Sequence, residues 1–159
     1  DIVCKVGEGT VHRLWEPLAE KRKPTTRYSA KFSVPYCIAA GFVDGAAGIE
    51  QFSDSRIADP RILGLAAKIS YEIDPDDEYP ANYSGHLKVT MADGSVHEAS
   101  QPHLRGGARE PLSAEELGAK YRANAATGNI PDDEAGELKA WCETAFDAPD
   151  MSGLADFRI

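Results

Sequence analysis

Phe32-Ser33-Val34-Pro35-Tyr36-Cys37-Ile38-Ala39-Ala40-Gly41-Phe42-Val43-Asp44-Gly45 carries both ends of a helix in its own sequence. Ser33 is a good N-cap, Pro35 is tolerated in a first turn, and Gly45 suits the left-handed residue that ends many helices. At about 100° per residue, Val34, Ile38 and Phe42 cover one side, while Tyr36 and Val43 cover the opposite one. Cys37 and Ala40 fill the space between them. A helix apolar all round must be buried on every face. That is hard to achieve in a chain of 159 residues, so a further domain or subunit is expected to cover one side.

On the N-terminal side, Asp1 to Val6 alternates with Ile2, Cys4 and Val6 on one face, which suits an edge strand. Thr10 to Lys23 is helical in character but broken by Pro17, and from Glu20 to Lys31 the chain is basic. On the C-terminal side, Asp59-Pro60 opens a second helix through Ile62, Leu63, Ala66 and Ala67. Lys68 to Asp74 alternates as a half-buried strand. Gly85 to Ala99 predicts a β-hairpin turning at Asp93-Gly94, with Leu87, Val89 and Met91 inward. A bulge at Gly94 would keep Glu98 off the apolar face.

Ser113 and Glu116 spell a capping box, with Leu112 and Leu117 placed as its hydrophobic staple. A last amphipathic helix is expected over roughly Asp132 to Phe146, with Leu138, Trp141, Cys142, Ala145 and Phe146 on one stripe. Strands and helices mix without a regular βαβ alternation. The fold class is therefore α+β: a small mixed or antiparallel sheet with packed helices, forming a single domain over residues 1–159.

Composition narrows the function. The net charge of −9 and a pI near 4.9 argue against nucleic acid as a partner and against an anionic membrane surface. No apolar run approaches the roughly 20 residues of a membrane span. Cys4, Cys37 and Cys142 are scattered and odd in number, which predicts small buried hydrophobes in a reducing compartment, the cytoplasm. Asp1-Ile2-Val3-Cys4-Lys5 has neither a starting Met nor a signal-peptide pattern, so a domain cut from a larger enzyme is expected.

Few residues are candidates for chemistry. His12, His86, His97 and His103 lack metal-ligand spacing, and no phosphate-loop, dinucleotide or nucleophile-elbow motif is present. No metal or cofactor is expected. Tyr36 stands apart, because a tyrosine on an apolar helix must set its hydroxyl against a partner or a cavity. The helix start at Ser33, with Lys31 and Arg27 just before it, would suit a carboxylate. His103 and Arg105, in the glycine-bearing loop before the capping box, could add donors to the substrate.

Lys31 to Gly45 closely resembles a hallmark of the MmgE/PrpD family, which includes 2-methylcitrate dehydratase, cis-aconitate decarboxylase and iminodisuccinate epimerase. Further matches follow in order: Arg56-Ile57-Ala58-Asp59-Pro60-Arg61, Met91-Ala92-Asp93-Gly94, Glu110-Pro111-Leu112-Ser113 with Glu116-Leu117, and Lys120-Tyr121-Arg122-Ala123-Asn124-Ala125. Glu110 stands where family members often carry Asn. The resemblance covers a core of about residues 2–126, leaving a helical tail over 127–159.

The resemblance implies the smaller α+β C-terminal domain of a two-domain, homodimeric lyase or isomerase, with the helical N-terminal domain absent. The active site would lie between the domains. Its catalytic His, Asp and Lys would come mainly from the absent domain, and Tyr36 would come from this one. The implied reaction is proton abstraction α to a carboxylate of a small polycarboxylate. The isolated domain would then be inactive. The rival expectation is a non-catalytic dimerisation or ligand-binding domain with Tyr36 merely packed.

Overall fold

The computed structural model describes residues 1–157. The last two positions of the expected tail, Arg158 and Ile159, lie outside them. The chain divides into two compact units, Asp1–Pro111 and Leu112–Ile159. The boundary between them falls just before the capping box, and the helices Ala114–Thr127 and Asp132–Thr144 that follow it pack on each other.

In the first unit the order is β1 (Ile2–Val6), α1 (Glu8–Leu14), α2 (Leu18–Arg22), α3 (Arg27–Lys31), α4 (Val34–Asp44), α5 (Asp54–Ile57), α6 (Pro60–Ala66), β2 (Ile69–Ile73), β3 (Gly85–Thr90) and β4 (Val96–Gln101). The sheet order is β2-β1-β3-β4, with β1 parallel to β2 and antiparallel to β3. This mixed sheet with packed helices is an α+β fold. Strand β1 is thus internal, which corrects the edge expectation. Its alternation reported the buried face, and alternation alone does not say how many neighbours a strand has.

Register places Ile69 and Tyr71 of β2, Ile2 and Cys4 of β1, and Val89 and Leu87 of β3 on one face. Ile2, Cys4 and Ile69 are buried there beside Ile62 and Ala66 of α6 and Ala39 and Ala40 of α4. Trp15 is 1% exposed and its ring lies 5.1 Å from that of Tyr71. The basic residues before α4 are partly structural. Lys21 Nζ donates to the carbonyls of Arg13 and Phe32, and Arg22 donates twice to Ile69 O.

The β3–β4 hairpin turns through Ala92-Asp93-Gly94, with Gly94 at φ +85°. A left-handed glycine there is the bulge that lets Glu98 face Lys88 on the solvent side, while Val89 faces His97. Met91, however, is 51% exposed, because it belongs to the turn and not to the strand.

The second unit holds α7 (Ala114–Thr127), α8 (Asp132–Thr144) and two short 3₁₀ turns, Ala145–Asp147 and Ser152–Phe157. Ser113 Oγ accepts from Glu116 N–H while the Glu116 carboxylate accepts from Ser113 N–H, so the capping box is made. Leu117 nevertheless remains 58% exposed, without the cover a staple gives. The Tyr121 hydroxyl donates to Ala135 O at 2.9 Å. Helix α8 ends at Thr144, which turns Phe146 out to solvent, and Cys142 is exposed as well. Two members of the predicted stripe therefore face water.

Candidate functional site

Helix α4 forms as its sequence dictates. Ser33 caps it in extended conformation, Pro35 sits in the first turn, and Gly45 closes it at φ +70° with its N–H on Gly41 O. Pro35, Tyr36, Ala39 and Ala40 are buried. Val34, Ile38 and Val43 are only partly covered and Phe42 is 53% exposed, so the unit does not enclose its most apolar helix.

Tyr36 is fully buried, its ring 5.9 Å from that of Phe52. Its hydroxyl donates to the main-chain carbonyl of Gln51, in the 3₁₀ turn Ile49–Phe52. Burial is the largest influence on the phenol and pushes its pKa up; the positive charge of Arg56 opposes this in part. At neutral pH the group is therefore a proton donor and not a base.

Gln51 links Tyr36 to a charged cluster. Its Nε2 donates to Asp44 Oδ2 at 3.3 Å, and Arg56 donates to Asp44 through Nε and Nη2 and to Asp59 through Nη1. Arg61 holds Asp59 from the other side, with its main-chain N–H and its guanidinium. The carboxyl of Asp59 is held well below its usual range chiefly by Arg61, and that of Asp44 is lowered chiefly by Arg56. Asp44, Arg56 and Asp59 are each mostly covered. This cluster joins the end of α4, the short α5 and the start of α6. It gives a physical reason for the Arg56 to Arg61 motif, whose charged residues sequence reasoning did not assign to any site. The signal was there in Asp44, the single acid ending an otherwise apolar helix.

The remaining candidates fall into different places. Ser33 is 1% exposed, with Oγ accepting from Tyr36 N–H and donating to Lys21 O, so its hydrogen bonds are internal. Lys31 ends α3 and is exposed. Arg27 pairs with Asp54. His103 and Arg105 belong to the loop after β4. There Gln101 donates to His103 O and to the Glu110 carboxylate, and Arg105 Nη1 lies 3.8 Å from Glu110. Ser33 and Tyr36 are thus brought together on one turn, whereas Arg105 and the main chain of His103 are tied into their own loop, and the His103 Nδ1 is buried without a hydrogen-bond partner among the described residues. Among the described residues no group of three or more His, Cys, Asp or Glu is placed to hold a metal ion, and no helix is long and apolar enough to cross a membrane.

Comparison with known proteins agrees with the motif. The human cis-aconitate decarboxylase is 31% identical over 103 residues, covering 64% of this chain and 21% of that protein. The mouse cis-aconitate decarboxylase is 29% identical over 105 residues, with the same coverage. This chain therefore spans about a fifth of the length of the curated relatives it matches. The family model of the MmgE/PrpD C-terminal domain matches residues 1–141, so the hallmark helix, the charged cluster, the sheet and most of the second unit fall within the match. The chain belongs to the MmgE/PrpD family, as its C-terminal domain.

Proposed function

We propose that this chain is the C-terminal part of a cytoplasmic, homodimeric lyase or isomerase that removes a proton α to a carboxylate of a small polycarboxylate. The carbanion then expels water, as in a 2-methylcitrate dehydratase, or is reprotonated; where CO₂ is lost instead, the electron pair of the breaking C–CO₂ bond stays on carbon and takes up a proton. Family membership supports the class, and the relatives' name indicates a tricarboxylate substrate for those proteins. One family scaffold hosts several chemistries, so the carbanion's fate is left to the partner residues.

One observation carries the role of this domain: Tyr36 is a protonated, buried hydroxyl on the hallmark helix, satisfied by a main-chain carbonyl of a short turn. In the working enzyme a substrate oxygen takes the place of Gln51 O, and the phenol donates to it. The base that removes the α-proton lies on a helical N-terminal domain, and cationic side chains, with Lys31, His103 and Arg105 as candidates from this chain, hold the carboxylates. Ser33 positions Tyr36 by capping its N–H. The competing reading keeps the Tyr36–Gln51 bond as a permanent part of the core and assigns the domain to dimerisation or ligand binding.

The test uses this chain alone and joined to an in-frame helical domain encoded upstream of Asp1. The expected outcome is turnover of cis-aconitate, 2-methylcitrate or iminodisuccinate by the joined protein only. Turnover by the chain alone, abolished by Tyr36→Phe, would overturn the shared site. An unrelated upstream sequence would favour the non-catalytic reading.

A further inference from the structure

Tyr36 and Asp44 stand about two turns apart on α4, and Gln51 touches both. Its main-chain carbonyl accepts from the Tyr36 hydroxyl, while its side-chain Nε2 donates to Asp44 Oδ2. Its Oε1 accepts from Gly48 N–H at 2.9 Å. The orientation of the amide follows from its two neighbours, because an N–H needs an acceptor and a carboxylate needs a donor.

Little else holds the 3₁₀ turn that carries Gln51. Ala46, Ala47, Gly48, Ile49 and Glu50 are exposed, and among the described residues between Gly45 and Phe52 Gln51 alone makes side-chain hydrogen bonds. Phe52 adds its ring, which packs against the core beside Tyr36. Asp44 is itself fixed, gripped by two nitrogens of Arg56 while the third reaches Asp59. An exposed turn whose polar tie ends on a fixed carboxylate takes its position from that carboxylate.

We propose that Gln51 is a positioning residue for the Tyr36 hydroxyl, and that Asp44, held by Arg56, sets it through the Gln51 amide. The contacts run from guanidinium to carboxylate to amide, and from the main-chain carbonyl of the same residue to the phenol. A phenolic proton can turn about its C–O bond, and the Gln51 carbonyl selects the direction in which it points. The consequence for chemistry rests on the reading of Tyr36 given above; the position of the hydroxyl is measured without turnover.

Solvent exchange of the Tyr36 hydroxyl proton tests this, followed at the ring Cζ by NMR of the whole chain in mixed H₂O and D₂O and assigned with Tyr36→Phe. Exchange requires the hydroxyl to leave the Gln51 carbonyl, so its rate reports local opening. Gln51→Met keeps that carbonyl and changes no charge. It should hasten exchange about two- to tenfold, the span one net hydrogen bond gives. The ionisable groups facing the phenol are Arg56 of α5, Asp59 at the start of α6, and Asp44 and Cys37 of α4. Acting through charge alone, Arg56→Met would make the phenol less acidic and slow exchange, whereas Asp44→Ala would hasten it. Acting through the chain of contacts, both should hasten it. Ile69→Val thins the core without touching that chain and should leave the rate unchanged. Unaltered exchange in Gln51→Met, slower exchange in Arg56→Met, or equal acceleration by Ile69→Val would each overturn the proposal. Should Arg56→Met fail to fold, Gln51→Met decides alone. Full turnover of Tyr36→Phe in the joined protein would refute the catalytic reading and leave the exchange result, and the positioning it measures, intact.

Discussion

Arg56 grips the carboxylate of Asp44 with two nitrogens, Nε at 3.1 Å from Oδ2 and Nη2 on Oδ1, at the end of α4 where the helix dipole alone would disfavour an acid. The same guanidinium reaches Asp59, the N-cap of α6, with Nη1 at 2.6 Å.

Removing that guanidinium should therefore cost stability in a pH-dependent way. The carboxyl of Asp44, lowered chiefly by Arg56, has a folded pKa below its ordinary value, whereas Asp59 is lowered chiefly by Arg61 and keeps that partner. The Asp44 contribution is present above about pH 4, the unfolded value, and is lost as pH falls through the folded value. Arg56→Ala should lower the urea midpoint clearly at pH 7 and by much less at pH 2. Arg56→Lys should recover only part, since an ammonium cannot match the fork. Equal losses at both pH values would show that Arg56 acts through packing alone.

The two glycines near the end of α4 should respond in opposite directions. Gly45 has φ +70° with open space around its Cα, so Gly45→Ala meets only backbone strain and should cost about 1–2 kcal/mol. Gly41 is helical, and a Cβ there would meet nothing within 4 Å. Gly41→Ala should stabilise the chain by roughly 0.5–1 kcal/mol. Denaturant unfolding of both variants checks the signs. A destabilised Gly41→Ala would mean that something already packs against that position.

What the sequence showed and what it hid divide along the range of the interactions. The cap at Ser33, the stop at Gly45, the break at Pro17 and the capping box at Ser113 are local, so a few residues suffice to read them. The placement of β1 between β2 and β3 is not, because its parallel partner β2 returns only after six intervening helices. The partner of Tyr36 was equally hidden. Gln51 offers its main chain, and a carbonyl is the same in every residue. Arg56 and Asp44 could have been linked only by knowing that α5 folds back to the end of α4. Phe146 leaves the stripe because the apolar period continues beyond Thr144, where the α-helix stops and a 3₁₀ turn begins.

The thiols should react in a fixed order. Cys142 is exposed, whereas burial pushes the thiol of Cys4 up to about 12 and that of Cys37 up to about 11. A thiolate is the reactive species, so the last two are nearly inert at pH 8. Dithiobisnitrobenzoate should give one fast equivalent, absent in Cys142→Ser, and two that appear only on unfolding. A second fast equivalent in the native chain would contradict the burial of α4 or β1.

Tyr36→Phe separates packing from chemistry at the centre of the hallmark helix. The change leaves the ring beside Phe52 and removes only the donor to Gln51 O. In this chain it should cost about 0.5–1.5 kcal/mol at neutral pH. The sign of its pH dependence follows from the raised phenol pKa: the contribution is full below about pH 10 and is lost as pH rises through the folded value. Cys4, Cys37 and Tyr71 are also shifted upward, so the alkaline limb is read as the difference between the variant and the parent chain. That difference should shrink above pH 10. In the joined two-domain protein, a hydroxyl that donates to the reacting substrate should lower turnover on the order of 10²–10⁴-fold when removed. Steady-state kinetics and denaturant unfolding of the same variant keep the two effects apart. Full activity with the small stability loss would return Tyr36 to the core, with Gln51 as its permanent partner. A large loss of turnover beside the same small stability loss would support the catalytic reading, in which the hydroxyl bound to the Gln51 carbonyl in this chain also meets the substrate.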